Sequence, residues 1–211
     1  MCGILGGNLF TNKKQLLTAQ KLIMHRGSDA VNITQHCGVW MGHNRLAIQD
    51  LDSKANQPMV DDLNSLRIVY NGELWQNTIK KYSYLRREFP FKTEKSDTEL
   101  LLYMYRNFNK SMVDYLDGMF SFAIHDHIKK EIVMARDWVG RLPFYYLHKY
   151  GGLAFSSELK VLTESFPDAA KEVKMVQPGT YCVYDIETGE LTTKQYYKIE
   201  DNIPESDTDI D

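Results

Sequence analysis

The sequence predicts an α+β fold built on antiparallel sheets. Alternating, β-rich runs outnumber helical ones along the chain. Three pairs of such runs are joined by short polar turns, at 119–125 with 131–136, 144–148 with 152–155, and 180–184 with 191–197, and each pair reads as a hairpin. The helical stretches are interspersed and do not alternate one for one with strands, as a wound βαβ sheet would require.

Taken in order, residues 3–10 are apolar and glycine-punctuated, the pattern of a buried strand. Thr11-Asn12 offers an N-cap to a helix over 13–24, whose Leu16, Ala19 and Ile23 share a face, and a turn at 25–29 ends it. Strand-like runs follow at 35–41 and 43–48, then a polar loop and Gln57-Pro58, where a helix cannot continue. A strand over 66–70 runs into Asn71-Gly72-Glu73, and 74–89 has helical character. Ser96-Asp97-Thr98-Glu99 spells a capping box. Behind it Leu101, Met104, Tyr105 and Phe108 keep the i, i+3, i+4, i+7 spacing of an amphipathic helix. A short helix is expected at 112–116, and another through Leu162 capped by Ser156-Ser157-Glu158. No composition break divides 1–199, which predicts one domain there, with 200–211 an acidic, disordered tail.

Composition removes several function classes. The 211 residues are 43% hydrophobic and 25% charged, ordinary for a soluble globular chain, with a net charge of −3. Six acids and no base follow Lys198, leaving the rest with 25 basic and 22 acidic residues, too even a balance for a nucleic-acid partner. No run approaches the ~20 apolar residues of a membrane span. The N-terminus lacks a basic n-region, so no secretory signal is expected. Three cysteines, Cys2, Cys37 and Cys182, cannot build a disulfide framework and fit a reducing, cytoplasmic setting. His36-Cys37, His43, His125 and His127 lack the spacing of a metal site, so no metal is expected.

The chemistry concentrates in Met1-Cys2-Gly3-Ile4. With Met1 removed, Cys2 would carry a thiol and a free α-amine on one residue. An α-amine titrates near 7.7–8 and a thiol near 8.5. Such a residue is a nucleophile with its own general base. Alone, the same Cys reads more readily as a small buried hydrophobe at a strand start.

Other stretches join it in a fixed order: His25-Arg26-Gly27-Ser28-Asp29, His43-Asn44-Arg45-Leu46-Ala47-Ile48, Gln57-Pro58, Asn71-Gly72-Glu73-Leu74 and Ser96-Asp97-Thr98-Glu99. Further along come Leu116-Asp117-Gly118-Met119-Phe120-Ser121-Phe122-Ala123, a run from Arg136 to Tyr146, Ser156-Ser157-Glu158-Leu159-Lys160 and Pro178-Gly179-Thr180. In this order and spacing the chain resembles the class II glutamine amidotransferase domain, most closely the asparagine synthetase type.

The resemblance implies a four-layer αββα sandwich of the N-terminal-nucleophile hydrolases, with two antiparallel sheets. It implies that Cys2 is the nucleophile and that Asn71 and Gly72 form the oxyanion hole. Arg45 would hold the α-carboxylate of L-glutamine, a task for which a planar guanidinium fork suits better than a lysine. The stretch Leu46, Ala47, Ile48 and Gln49 would line the same pocket, and Glu73 and Asp97 would take the α-ammonium. Glutamine would be hydrolysed to glutamate and ammonia through a Cys2 thioester, without metal or organic cofactor. ATP and Mg would enter only through a separate synthetase domain or partner that receives the ammonia. A glutamine-binding regulatory subunit of weak activity is the alternative.

Taken singly, these residues have plainer readings: Asn71-Gly72 is a hairpin dipeptide, Arg45 a surface ion-pair residue, Asp97 a helix-cap neighbour and Arg136-Asp137 an ion pair. The chain departs from the family pattern at Ser28, where proline is usual, and at Trp75-Gln76-Asn77, where Tyr-Asn is usual. It also lacks the Ser-Gly-Gly-x-Asp-Ser phosphate loop of a synthetase domain.

Overall fold

A computed structural model describes residues 1–198. The expected tail over 200–211 lies outside the described residues. The strands are β1 (Gly3–Gly7), β2 (Ala30–His36), β3 (Val39–Arg45), β4 (Met59–Val60), β5 (Leu66–Leu74), β6 (Gly118–Asp126), β7 (Glu131–Arg136), β8 (Tyr145–Lys149), β9 (Gly152–Ser156), β10 (Lys174–Met175), β11 (Thr180–Asp185) and β12 (Leu191–Gln195). The α-helices are α1 (Lys13–Lys21), α2 (Gln76–Lys81), α3 (Leu85–Glu88), α4 (Asp97–Phe108) and α5 (Leu159–Ser165).

The strands form two six-stranded sheets, ordered β10-β8-β9-β1-β3-β2 and β12-β11-β7-β6-β5-β4. Their strand pairs are antiparallel. Three apolar layers separate four structural ones. Ile4, Val39, Met41, Val69, Ala123 and Met134 fill the space between the sheets. Leu5, Leu16, Ala19, Ile23, Val161 and Leu162 join the first sheet to α1 and α5. Tyr70, Leu85, Leu101, Met104, Phe120 and Phe122 join the second sheet to α3 and α4. This is the αββα sandwich the resemblance implies. Period 2 explains it: β5 and β6 send alternate side chains to the inter-sheet core and to the helical layer, so both faces are apolar.

Several elements differ from the sequence expectation, each for a local reason. The strand-like runs expected at 35–41 and 43–48 fall largely within one strand, β3, and the chain turns before it at Cys37-Gly38, where both φ angles are positive (46° and 79°). Two successive positive φ values make the tight turn that matches strand twist. β2 was hidden because its residues are mostly half-exposed and mixed, with only Val31 and Ile33 alternating.

Strand β5 does not stop at Tyr70; it runs through Asn71-Gly72-Glu73 to Leu74, paired with β6 along its length. The hairpin reading of Asn71-Gly72 is therefore overturned. The helical stretch after it breaks into α2 and α3. The capping box is not formed: the Ser96 side chain caps nothing. Glu99 instead accepts from the backbone N–H groups of Lys92 and Thr93, at 2.8 Å each, and from the Thr93 hydroxyl at 2.6 Å. The Asn12 cap does form, with Oδ1 accepting from Gln15 N at 3.0 Å.

Candidate active site

Strand β1 starts one residue after Cys2, in the middle of its sheet, and so delivers the N-terminus between the two sheets. Three groups fix that start. Arg26 Nε donates to the Cys2 carbonyl at 2.9 Å, the Ser157 hydroxyl accepts from Ile4 N at 3.0 Å, and Ser157 N donates to the Ile4 carbonyl at 2.9 Å. Arg26 is held in turn by Glu158, which also takes His25 at 2.6 Å. The resemblance carries His25-Arg26-Gly27 and Ser157-Glu158 as motifs without roles; here Arg26, Ser157 and Glu158 anchor the backbone at Cys2. Ser157 and Glu158 do this instead of capping α5 with their side chains.

The Cys2 thiol lies against the end of β3. Leu46 N–H points to Sγ at 3.5 Å, and Sγ is 3.7 Å from the Leu46 carbonyl. Burial pushes the thiol up from its ordinary range, while the Leu46 N–H, the terminal ammonium and Arg45 pull it back. Around it opens a small cavity of about 120 Å³, lined by Cys2, Arg45, Asn71, Gly72, Glu73 and Asp97 among others. Every one of the expected catalytic residues therefore meets there. Leu46, Ile48 and Gln49 also line it, but Ala47 does not. The Ala47 N–H is drawn away to Asp29 Oδ2 at 2.7 Å, which corrects its expected place.

Asn71 is buried, and its side-chain Nδ2 donates to no described residue. A buried amide donor without a partner costs free energy on the order of 1–3 kcal/mol, so a site that keeps one holds it for something else. Gly72 supplies a second donor by position. Strand N–H groups point alternately to either side. Trp75 N donates toward β6, to the Asp117 carbonyl at 2.8 Å. Tyr70 N and Leu74 N point the other way, to Gln57 Oε1 at 2.6 Å and Asp97 Oδ2 at 3.1 Å. Gly72 N–H shares their direction, and no described side chain claims it. Only glycine fits here: a Cβ would stand 2.3 Å from the Met119 carbonyl oxygen and 2.6 Å from the Tyr70 ring.

Arg45 is buried, and part of its fork is already engaged. Nη1 donates to the Asp52 carbonyl at 3.0 Å and to Asn56 Oδ1 at 2.7 Å, and Nη2 donates to the Asp50 carbonyl. Nε and the second Nη2 hydrogen have no partner among the described residues. The surface ion-pair reading fails, because no described carboxylate pairs with it. Asp97 opens α4 and is buried, accepting from the Tyr70 hydroxyl at 3.1 Å as well as from Leu74 N. Burial raises its carboxyl to about 6, against the pull of those two donors. Glu73 lines the pocket half-exposed, with no hydrogen bond to a described residue.

Arg136 and Asp137 are not an ion pair. Arg136 donates to the carbonyls of Leu142, Val176 and Gly140, and Asp137 accepts from Phe120, Gly140 and Arg141 N–H groups. The histidines do gather away from the site: the His36 ring centroid is 4.7 Å from His127 and 6.1 Å from His125. Among the described residues no group of three His, Cys, Asp or Glu side chains is arranged to hold a metal. Burial and the nearby Arg67 charge lower His36 and bring His125 down to about 4.

Residues 1–190 match the family model described as a glutamine amidotransferase domain. The chain is 34% identical over 182 residues to asparagine synthetase [glutamine-hydrolyzing] 3 of Bacillus subtilis, covering 82% of this chain and 29% of that protein. It is 34% identical over 206 residues to a probable asparagine synthetase [glutamine-hydrolyzing] of Schizosaccharomyces pombe, covering 94% and 35%. Amidase chry2 of Gibberella zeae matches at 33% over 159 residues, covering 74% and 23%. The chain thus spans roughly a third or less of these relatives' length. In fold it is similar to the glutamine phosphoribosylpyrophosphate amidotransferase of B. subtilis, at a TM-score of 0.71 and 21% identity over 93% of this chain and 49% of that one. Match over nearly the whole chain and the assembled pocket lead to one conclusion: this chain belongs to the class II glutamine amidotransferase domain family, with glutamine-hydrolysing asparagine synthetases among its relatives.

Proposed function

We propose that this domain hydrolyses L-glutamine at Cys2 and passes the ammonia to an ATP-dependent synthetase, in cis or in trans. The observation that carries the reading is the unpartnered Asn71 Nδ2 beside the Gly72 N–H, in the same cavity as the Cys2 thiol. With Met1 removed, the Cys2 amine takes the thiol proton and the thiolate adds to the side-chain amide carbon of glutamine. The carbonyl oxygen becomes an oxyanion between Asn71 Nδ2 and Gly72 N–H. One such donor is worth ~2.7–4 kcal/mol, because its hydrogen bond strengthens as charge grows. The carbon–nitrogen bond breaks, the protonated amine gives its proton to the nitrogen, and ammonia leaves. Water, deprotonated by the same amine, splits the thioester to give glutamate.

Substrate selection follows from charge. Nε and the spare Nη2 hydrogen of Arg45 suit the α-carboxylate, and Asp97 and Glu73 suit the α-ammonium. The reaction at Cys2 calls on no metal or organic cofactor; ATP and Mg belong to the synthetase half. The three free thiols fit a reducing compartment, which is taken to be the cytoplasm.

Two measurements test this. Intact mass of the active protein should lack Met1. Purified chain should release glutamate from glutamine, with the synthetase supplied if closure against it is needed, and Cys2→Ala should release none. Glutamate release by protein that retains Met1 would remove the proposed base, and tight glutamine binding without turnover would point to a regulatory subunit.

A further inference from the structure

We infer that Tyr70 is a positioning residue of this site, its hydroxyl aiming the Asp97 carboxylate at the substrate ammonium while its ring seats the Gly72 backbone. The inference rests on the glutamine reading above and adds to it a residue that none of the motifs includes.

The geometry is direct. Tyr70 is 2% exposed, and its hydroxyl donates to Asp97 Oδ2 at 3.1 Å. The same oxygen accepts from Leu74 N at 3.1 Å. Two protein donors thereby engage Oδ2 and, with the Asp97 and Thr98 backbone N–H groups that also act on the carboxylate, fix its orientation in the cavity it lines. The ring lies where a side chain at Gly72 would go, 2.6 Å from an ideal Cβ. Gln57 Oε1 fixes the Tyr70 N–H at 2.6 Å, so the strand cannot slide beneath the ring. A phenylalanine would pack this layer equally well. The hydroxyl is therefore not there for the core; a buried hydroxyl is costly unless paired, and its partner is the site carboxylate. Burial and Asp97 push the phenol well above its ordinary range, which keeps it a donor. The other titratable or charged groups facing the pocket are the Met1 terminal ammonium, Cys2, Arg45, Asp50 and Glu73. A hydrogen bond to the ionised form holds a carboxyl down, so losing one lets it rise.

The test is Tyr70→Phe, assayed for ammonia release across pH 5–9 with glutamine and with glutaramate, which lacks the α-ammonium. For glutamine, the acid limb of kcat/KM should move up by about one pH unit, and KM should rise roughly tenfold at pH 5 but only about twofold at pH 7, with kcat at pH 8.5 within about twofold of wild type. Glutaramate KM should not change. An unmoved acid limb and KM, with wild type active, would overturn the role of Tyr70 and leave the glutamine reading intact. Equal KM increases for both substrates would reduce Tyr70 to packing. A wild-type protein that neither binds nor hydrolyses glutamine would sink the reading itself, and this inference with it.

Discussion

Leu46 holds the Cys2 sulfur from the backbone, its N–H 3.5 Å from Sγ and its carbonyl 3.7 Å away. No side-chain hydrogen bond reaches the thiol among the described residues. A thiol that burial has pushed up needs a base at hand, and in the proposed mechanism that base is the Cys2 amine exposed once Met1 is removed. Cys2→Ala is therefore expected to lower glutamate release by at least ~10³-fold while leaving the fold intact. A variant with Gly inserted between Met1 and Cys2, which keeps the thiol but moves the amine, should be nearly as inactive. Substantial activity in the insertion variant would show that another group takes the proton.

How far the sequence could be read depends on which residues carry period and which carry reach. The hairpins β6–β7, β8–β9 and β11–β12 were legible because their alternation is strict and their turns polar. β2 was not, because at the sheet edge it is only half-buried and its alternation, Val31 and Ile33, is too short to stand out. Cys2, Arg45, Asn71, Gly72 and Asp97 were legible through motif order alone, since they come from four elements far apart in the chain. Arg26, Ser157, Gln57 and Tyr70 were not assigned, because each acts on a backbone group or carboxylate 13 to 153 positions away, and no local pattern encodes that reach. Ala47 was misplaced because Asp29, across a turn, captures its N–H.

Asn71→Ala removes the proposed oxyanion donor and no described hydrogen bond of Nδ2. The expected cost is ~10²–10³-fold in kcat, with KM near wild type and the urea midpoint unchanged. A rise in KM with kcat preserved would instead place Asn71 on the ground-state substrate.

Gly72→Ala meets two obstacles at once, the Met119 carbonyl oxygen at 2.3 Å and the Tyr70 ring at 2.6 Å. One is backbone of the neighbouring strand, so β5 and β6 must part locally. Thermal unfolding is expected to show a loss of about 1–3 kcal/mol, accompanied by loss of hydrolysis. An alanine variant with wild-type Tm and activity would contradict the close approach described here.

Arg45 has two tasks, and lysine can do neither well. Its Nη1 and Nη2 tie down the loop carbonyls of Asp52 and Asp50 and the Asn56 side chain, its Nε has no partner among the described residues, and the residue lines the cavity. Arg45→Lys is expected to raise KM for glutamine ~10²-fold, the equivalent of about 3 kcal/mol for two charged hydrogen bonds. It should also speed proteolytic cleavage between residues 48 and 56. Unchanged cleavage with a raised KM would separate the two tasks and leave the substrate contact alone.

Stability should fall with acidification, and its sign follows from buried imidazoles. Burial brings His43 down to about 3 and His125 to about 4, from an ordinary 6.5. Below about pH 6.5 the unfolded chain binds protons at these residues that the folded chain does not, so acid favours unfolding. Their contribution is fully present above that value and is lost as pH falls toward the folded values. Asp97 acts in the opposite sense: raised to about 6, it takes its proton first in the folded state and returns stability over the same range. Between pH 7 and 5 each histidine costs about 2 kcal/mol and Asp97 restores about 1, a net loss of about 2–3 kcal/mol. Urea midpoints at the two pH values measure it. In His125→Leu the drop should shrink by more than half, because the residual His43 and Asp97 effects nearly offset. A drop of the same size in that variant would mean that His125 titrates normally in the folded protein and is not sealed between the sheets.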